Sequence, residues 1–135
     1  DPVLAQTFLK DDIDTFIARS DLIKSAEIRD SGIAIVKADE TMTYHPVTVA
    51  QAADQLLQIE GVQASFVMAL REDETIGISA RSLGKVNVQI IMEELNGGGH
   101  LTNAATRMEG KSIEEAYEEL TAAIDTFIYN RSEEE

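Results

Sequence analysis

Three consecutive glycines followed by a histidine, Gly97-Gly98-Gly99-His100, are the stretch that folding alone explains least. Glycine loses more backbone entropy on folding than any other residue, so a run of it implies positive φ angles or close approach of the backbone to a partner. Successive N–H groups in such a loop form a nest for an anion, and a helix starting after the loop would add its dipole. The alternative is a helix C-cap with a flexible connector, because a helical repeat ends just before Gly97. His100 offers a hydrogen bond to a phosphate oxygen, or is otherwise a polar loop residue. Arg81, within Ser79-Ala80-Arg81-Ser82, carries a fork suited to phosphate; the competing reading is a surface arginine paired with one of many carboxylates. Asn103 can read a base edge or cap a turn, and Asn87 most simply caps the helix beginning at Val88. His45-Pro46 precedes a helix start and reads as structural.

Other chemistries find little support. The chain has two histidines and no cysteine, which removes thiolate nucleophiles, cysteine-ligated zinc and disulfides and is compatible with a reducing compartment. The carboxylates are numerous but diffuse, and no cluster has the spacing of a protein-only metal site or a two-metal hydrolase. There is no serine or threonine nucleophile motif. A net charge of −14 argues against a general nucleic-acid binder and against double-stranded DNA. The distribution matters more than the total. Residues 81–107 hold Arg81, Lys85 and Arg107 against Glu93 and Glu94, a net of +1, so the remainder carries −15. An anion would meet the least hostile field in that window.

A set of elements must position these residues. A length of 135 residues and 44% hydrophobic content fit one domain with one compact core. No run approaches the ~18 apolar residues of a membrane span, and no charged-then-apolar leader is evident. Asp1-Pro2 reads as an N-cap with proline at the first helical position, and the apolar spacing from Val3 to Ile17 predicts an amphipathic helix over roughly 3–19. A helix beginning so abruptly is expected of a fragment cut within a connector, here residues 1–20. Ser25–Asp30 and Ile33–Lys37 flank Asp30-Ser31-Gly32 as a β-hairpin. Thr48 with Gln51 suggests a capping box for a helix that Gly61 ends. Ala64–Leu70 is a continuous apolar run, read as a fully buried strand, and Thr75–Arg81 as its partner. Val88, Ile91, Met92 and Leu95 make a short helix stopped by Gly97. Ala104–Met108 reads as a strand, and Ser112 with Glu115 as the capping box of a long last helix. Residues 131–135 read as a frayed acidic tail. The fold class is therefore α+β (mixed α/β): a single domain, residues 21–130, with about five strands in a mixed sheet flanked by helices.

Taken in order, Ser79-Ala80-Arg81-Ser82, Val86-Asn87-Val88, Gly97-Gly98-Gly99-His100 and Asn103-Ala104-Ala105 resemble one family. They are similar to the C-terminal, DHH-associated domain of the DHH phosphodiesterases, over about residues 25–128. The resemblance implies that Arg81, Gly97, Gly98, Gly99, His100 and Asn103 bind the phosphate and nucleotide of a substrate. It places the metal ligands, and the manganese expected with them, in a preceding DHH domain of the same parent polypeptide. No cofactor is then expected in this chain, and the isolated chain is expected to be inactive. Many family members follow the loop with alanine-alanine-glycine. This chain instead reads Leu101-Thr102-Asn103-Ala104-Ala105-Thr106, which resembles the membrane-anchored cyclic di-AMP phosphodiesterases of Gram-positive bacteria.

That version implies cyclic di-AMP or a short linear dinucleotide as ligand. It also implies a cytoplasmic domain of a membrane-anchored parent; a homodimer remains open. Two alternatives stay beside it. One is the same domain in a short-oligonucleotide (nanoRNA) phosphodiesterase or exonuclease. The other is a non-catalytic interaction module whose acidic surface and terminal helices make the contacts.

Overall fold

The computed structural model describes residues 12–134. Among them the order is α1 (Ile13–Lys24), β1 (Glu27–Ile28), β2 (Ile33–Lys37), α2 (Pro46–Leu56), β3 (Ala64–Leu70), β4 (Ile76–Ser82), α3 (Val88–Glu94), β5 (Gly98–His100), β6 (Asn103–Met108) and α4 (Ile113–Glu134). The strands form one mixed sheet in the order β1-β2-β3-β4-β6-β5. Only β2 and β3 run parallel, linked through α2; every other neighbouring pair is antiparallel. The α+β class holds, with six strands rather than about five. None of the described helices is long and apolar enough to cross a membrane.

Local chemistry explains most boundaries, including three that the sequence misplaces. Residues 3–11 of the connector helix expected over 3–19 lie outside the described residues. Within them α1 begins after Asp12, whose carboxylate accepts from the Thr15 N–H at 2.8 Å, and it continues to Lys24. Its apolar positions Ile13, Phe16 and Ile17 are exposed, and Leu22 is its buried residue. Helix α2 starts earlier than a Thr48 capping box would place it. His45 is the N-cap, its Nδ1 accepting from the Val47 N–H at 3.1 Å, and Pro46 sits in the first turn. Thr48 is buried instead. Helix α3 is capped by Asn87 as expected. It is terminated by Asn96 at φ 64°, with the Gly97 N–H returning to the Met92 carbonyl at 2.8 Å. Asn96, not Gly97, takes the left-handed position.

The Ser112–Glu115 box forms reciprocally: Glu115 Oε1 accepts from the Ser112 N–H at 2.9 Å, and Ser112 Oγ from the Glu115 N–H at 3.1 Å. Hydrogen bonds to it from Ser112, from the backbone N–H first and then the side chain, hold the Glu115 carboxyl below its ordinary range. The acidic end is not a separate tail, because α4 runs on to Glu134.

Two apolar clusters sandwich the sheet. On one face α3 and α4 cover Ile35, Phe66, Met68, Ile78 and Ala80. On the other, α2 backed by α1 covers Ala34, Val36, Val67 and Ala69. A buried hydrogen bond anchors each side: Ser65 Oγ donates to the Ala53 carbonyl at 2.6 Å, and Thr106 Oγ1 to the Leu95 carbonyl at 2.8 Å.

The glycine run is not a flexible loop. Gly98–His100 is the edge strand β5, hairpinned onto β6, and a strand rather than a helix follows it, so no helix dipole is added. Close packing demands two of the three glycines. A Cβ on Gly97 would lie 2.2 Å from the Ala105 carbonyl oxygen, and one on Gly99 would lie 2.4 Å from Ala104 Cα at a φ of +144°. Around Gly98 nothing stands within 4 Å. Gly99→Ala is therefore expected to destabilise the fold by about 2–4 kcal/mol through overpacking and backbone strain. Gly98→Ala should stay within about 0.5 kcal/mol of the parent, as an open surface position does. Urea unfolding of the two variants checks the contrast.

Candidate functional site

The strands change character across the sheet. Residues 64–69 of β3 are buried on both faces, whereas β4 alternates between buried and half-buried, and β6 between exposed and buried. Alternation marks a sheet face that is covered on one side only. On the side of α2 the cover ends at β4. The last turn of α2 still reaches Arg81 through Asp54, and beyond β4 no helix among the described residues roofs Asn103, Ala105 and Arg107 of β6, or Gly98 and His100 of β5.

Register places the sequence-predicted residues on this open half-face. Arg81 pairs with Asn103, and Asn103 with His100. Side chains paired across antiparallel strands share a face, so the three form a row about 10 Å wide at the ordinary interstrand spacing. Gly98 pairs with Ala105 one step along, on the same face. Its missing side chain leaves a bare approach to the backbone. Gly97 and Gly99 act differently: their lack of a side chain brings β5 tightly onto β6.

Arg81 is the strongest cation of the row. Its side chain is 13% exposed, and its Nε donates to Asp54 Oδ1 at 2.8 Å while Nη1 donates to the Ala80 carbonyl at 3.0 Å. Asn103 and His100 are exposed. Asp54, on the last turn of α2, went unnoticed in the sequence. One aspartate among 25 acidic residues carries no local signal, and only the crossover of α2 onto β4 reveals it.

A cleft of about 270 Å³ opens along the same face between α2 and the sheet. Tyr44, Pro46 and Val49 form one wall, Ser79 and Ala105 the floor, and Arg71, Arg81 and Asn103 its polar groups. Burial, and then the charge of Asp39, pushes the Tyr44 phenol above its ordinary range. Arg71 lies over Gly77, where a Cβ would stand 3.1 Å from Arg71 Cδ. Asp73 pairs with both Arg71 (3.8 Å) and Arg107 (3.5 Å). Its carboxyl is held below the usual range mainly by hydrogen bonds from Thr75. With Glu72 and Glu74 beside it, that end of the cleft is net acidic, so the row ending at Arg81 is the part suited to an anion. A larger cavity of about 560 Å³ lies between α3 and α4, lined by Asn87, Ile90, Leu101, Phe127 and Arg131 among others. It shares none of the predicted site residues.

Among the described residues no group of three or more histidines, aspartates and glutamates could hold a metal ion. His45 is spent on a helix cap and His100 stands on the edge strand. The arrangement can grip an oxyanion through fixed donors, but these residues do not fit a metal.

Comparison with known proteins places this geometry. The profile of the DHHA1 domain matches residues 31–130. The chain is 55% identical over 127 residues to the cyclic-di-AMP phosphodiesterase PdeA of Listeria monocytogenes, covering 94% of this chain and 19% of that protein. It is 51% identical over 129 residues to the cyclic-di-AMP phosphodiesterase GdpP of Bacillus subtilis, covering 94% of this chain and 20% of that protein. It thus spans about a fifth of the length of these relatives. The fold is shared with an exopolyphosphatase-related protein from Bacteroides fragilis, at a TM-score of 0.75 and 21% identity over 89% of this chain and 36% of that one. With the profile matched across most of its length, the chain belongs to the DHHA1 domain family.

Proposed function

We propose that this chain is the substrate-binding domain of a cyclic di-AMP phosphodiesterase, holding the ligand's phosphate and nucleotide for a catalytic domain elsewhere in the same polypeptide. The observation that carries the reading is the row Arg81–Asn103–His100, with Gly98 beside it, on the uncovered half of the sheet. A phosphodiester has non-bridging oxygens that accept hydrogen bonds and carry negative charge. Arg81 supplies charged donors in fixed geometry, Asn103 and His100 add further side-chain donors, and Gly98 admits the phosphate close to the backbone. The names of the 55% and 51% identical relatives supply the substrate class.

In this reading the parent protein is membrane-anchored with this domain in the cytoplasm. A DHH domain carries the manganese and the attacking water. Because the residues described here do not fit a metal, no chemical step is assigned to them; their part is to bind and orient.

Two outcomes follow. Incubated with manganese and cyclic di-AMP, the chain should give no product by chromatography, and sustained turnover that scales with protein would overturn the division of labour. Binding, followed by nucleotide-induced chemical-shift changes, should depend on the row in a graded way. Arg81→Ala removes a charged donor worth ~1.5–3 kcal/mol, roughly 10- to 150-fold in affinity. Arg81→Lys keeps the charge but loses the fork, and should recover only part. His100→Ala removes a single hydrogen bond and should cost less than Arg81→Ala, which removes several. Gly98→Ala should weaken binding while leaving the unfolding curve in place. Parent-like binding by all four would reduce the row to a surface feature and bring the interaction-module reading forward.

A further inference from the structure

Arg81 reaches the open face from a strand whose neighbours pin it on two sides. Across β3 its partner in register is Ser65, and the buried Ser65 hydroxyl is bonded to the Ala53 carbonyl of α2 at 2.6 Å. The next residue along α2 is Asp54, whose Oδ1 takes the Arg81 Nε–H at 2.8 Å. A closed circuit results: β4 to β3 through the sheet, β3 to α2 through Ser65, and α2 back to β4 through Asp54. Ala52 and Ala53 are fully buried, so the turn that carries Asp54 is fixed by packing as well.

A guanidinium has five N–H donors in a rigid plane. The bonds to Asp54 and to the Ala80 carbonyl use two of them and set the plane of the other three. Asp54 itself is 60% exposed, so water screens its opposition to an arriving anion. What it gives in return is order, because a long side chain already immobilised in the free protein loses less freedom when a ligand binds.

We propose that Asp54 is a positioning residue for the phosphate site: it holds the Nε edge of Arg81 so that the remaining N–H groups present to a phosphodiester. The inference rests on the reading of Arg81 as a phosphate ligand. It gives that site a second residue, contributed by a helix, whose removal acts only through the arginine.

The test uses the 135-residue chain, cyclic di-AMP as probe, and three variants: Asp54→Ala, Asp54→Asn and Arg81→Ala. Three quantities are read from each, namely the urea midpoint, the side-chain ¹H–¹⁵Nε resonance of Arg81 where the arginine is present, and the affinity from chemical shifts. Asp54→Ala is expected to lose the slowly exchanging Nε–H signal and to bind roughly 2- to 10-fold more weakly, the cost of ordering one long side chain on binding. Asp54→Asn, whose amide oxygen still accepts from Nε, should keep the signal and most of the affinity. Tighter binding by both Asp54 variants would mean that the carboxylate merely competes with the anion, which overturns the inference. Parent-like affinity in Asp54→Ala, or an Asp54→Asn variant that loses the Nε–H signal without losing affinity, overturns it equally. Failure of the underlying site looks different: Arg81→Ala then binds as the parent does, or the parent produces no shifts at all.

Discussion

The molecule is organised by unequal cover on the two faces of one sheet. Helices α3 and α4 bury one face across β2 to β6, while α2, backed by α1, buries the other only as far as β4. A parallel connection fixes this asymmetry, because the β2–α2–β3 crossover must lay its helix over the two strands it joins. What remains uncovered is the part of β6 and β5 that carries Asn103, His100 and Gly98, with Arg81 of β4 at its border beside Asp54. The candidate site is the surface left over once the core is satisfied.

The same asymmetry decides how much could be read from the sequence. Ala64–Leu70 is apolar without a break because it is buried on both faces, and that made its bounds legible to the residue. Ile76-Gly77-Ile78-Ser79-Ala80-Arg81 alternates because one face is open, so the position of Arg81 on the bare side was already written in the pattern. Capping chemistry was equally plain at Asn87 and at Ser112 with Glu115, where standard cap residues precede helical repeats. Elsewhere a tertiary partner overrode a local preference. Glycine is a poor strand former, yet Gly98–His100 is a strand, because β6 offers a ladder and the first and third glycines of the run let it come close. Asparagine rather than glycine ending α3 fits the same account, because Gly97 is packed against β6.

The glycine run therefore carries two requirements that look alike in one dimension. Gly97 and Gly99 answer to the backbone of β6, whereas Gly98 answers to nothing in the chain itself. Read from sequence, the three form one unit, either an anion nest or a helix cap with its connector. Separating them assigns the closeness of the hairpin to the outer two and leaves the middle one as the position where a ligand would draw near. Arg81 and Asp54 make a parallel case, for a lone arginine becomes a defined donor only through a carboxylate 27 residues away.

The pairing of Arg81 with Asn103 has a kinetic side. Strands β3 and β4 meet through a short turn, and so do β5 and β6, but β4 and β6 are brought together only after α3 and β5 have been threaded between them. Their contact closes the longer loop, and loop closure costs entropy that is recovered only when the contact forms. The row proposed to grip an anion thus straddles the seam between two locally formed hairpins.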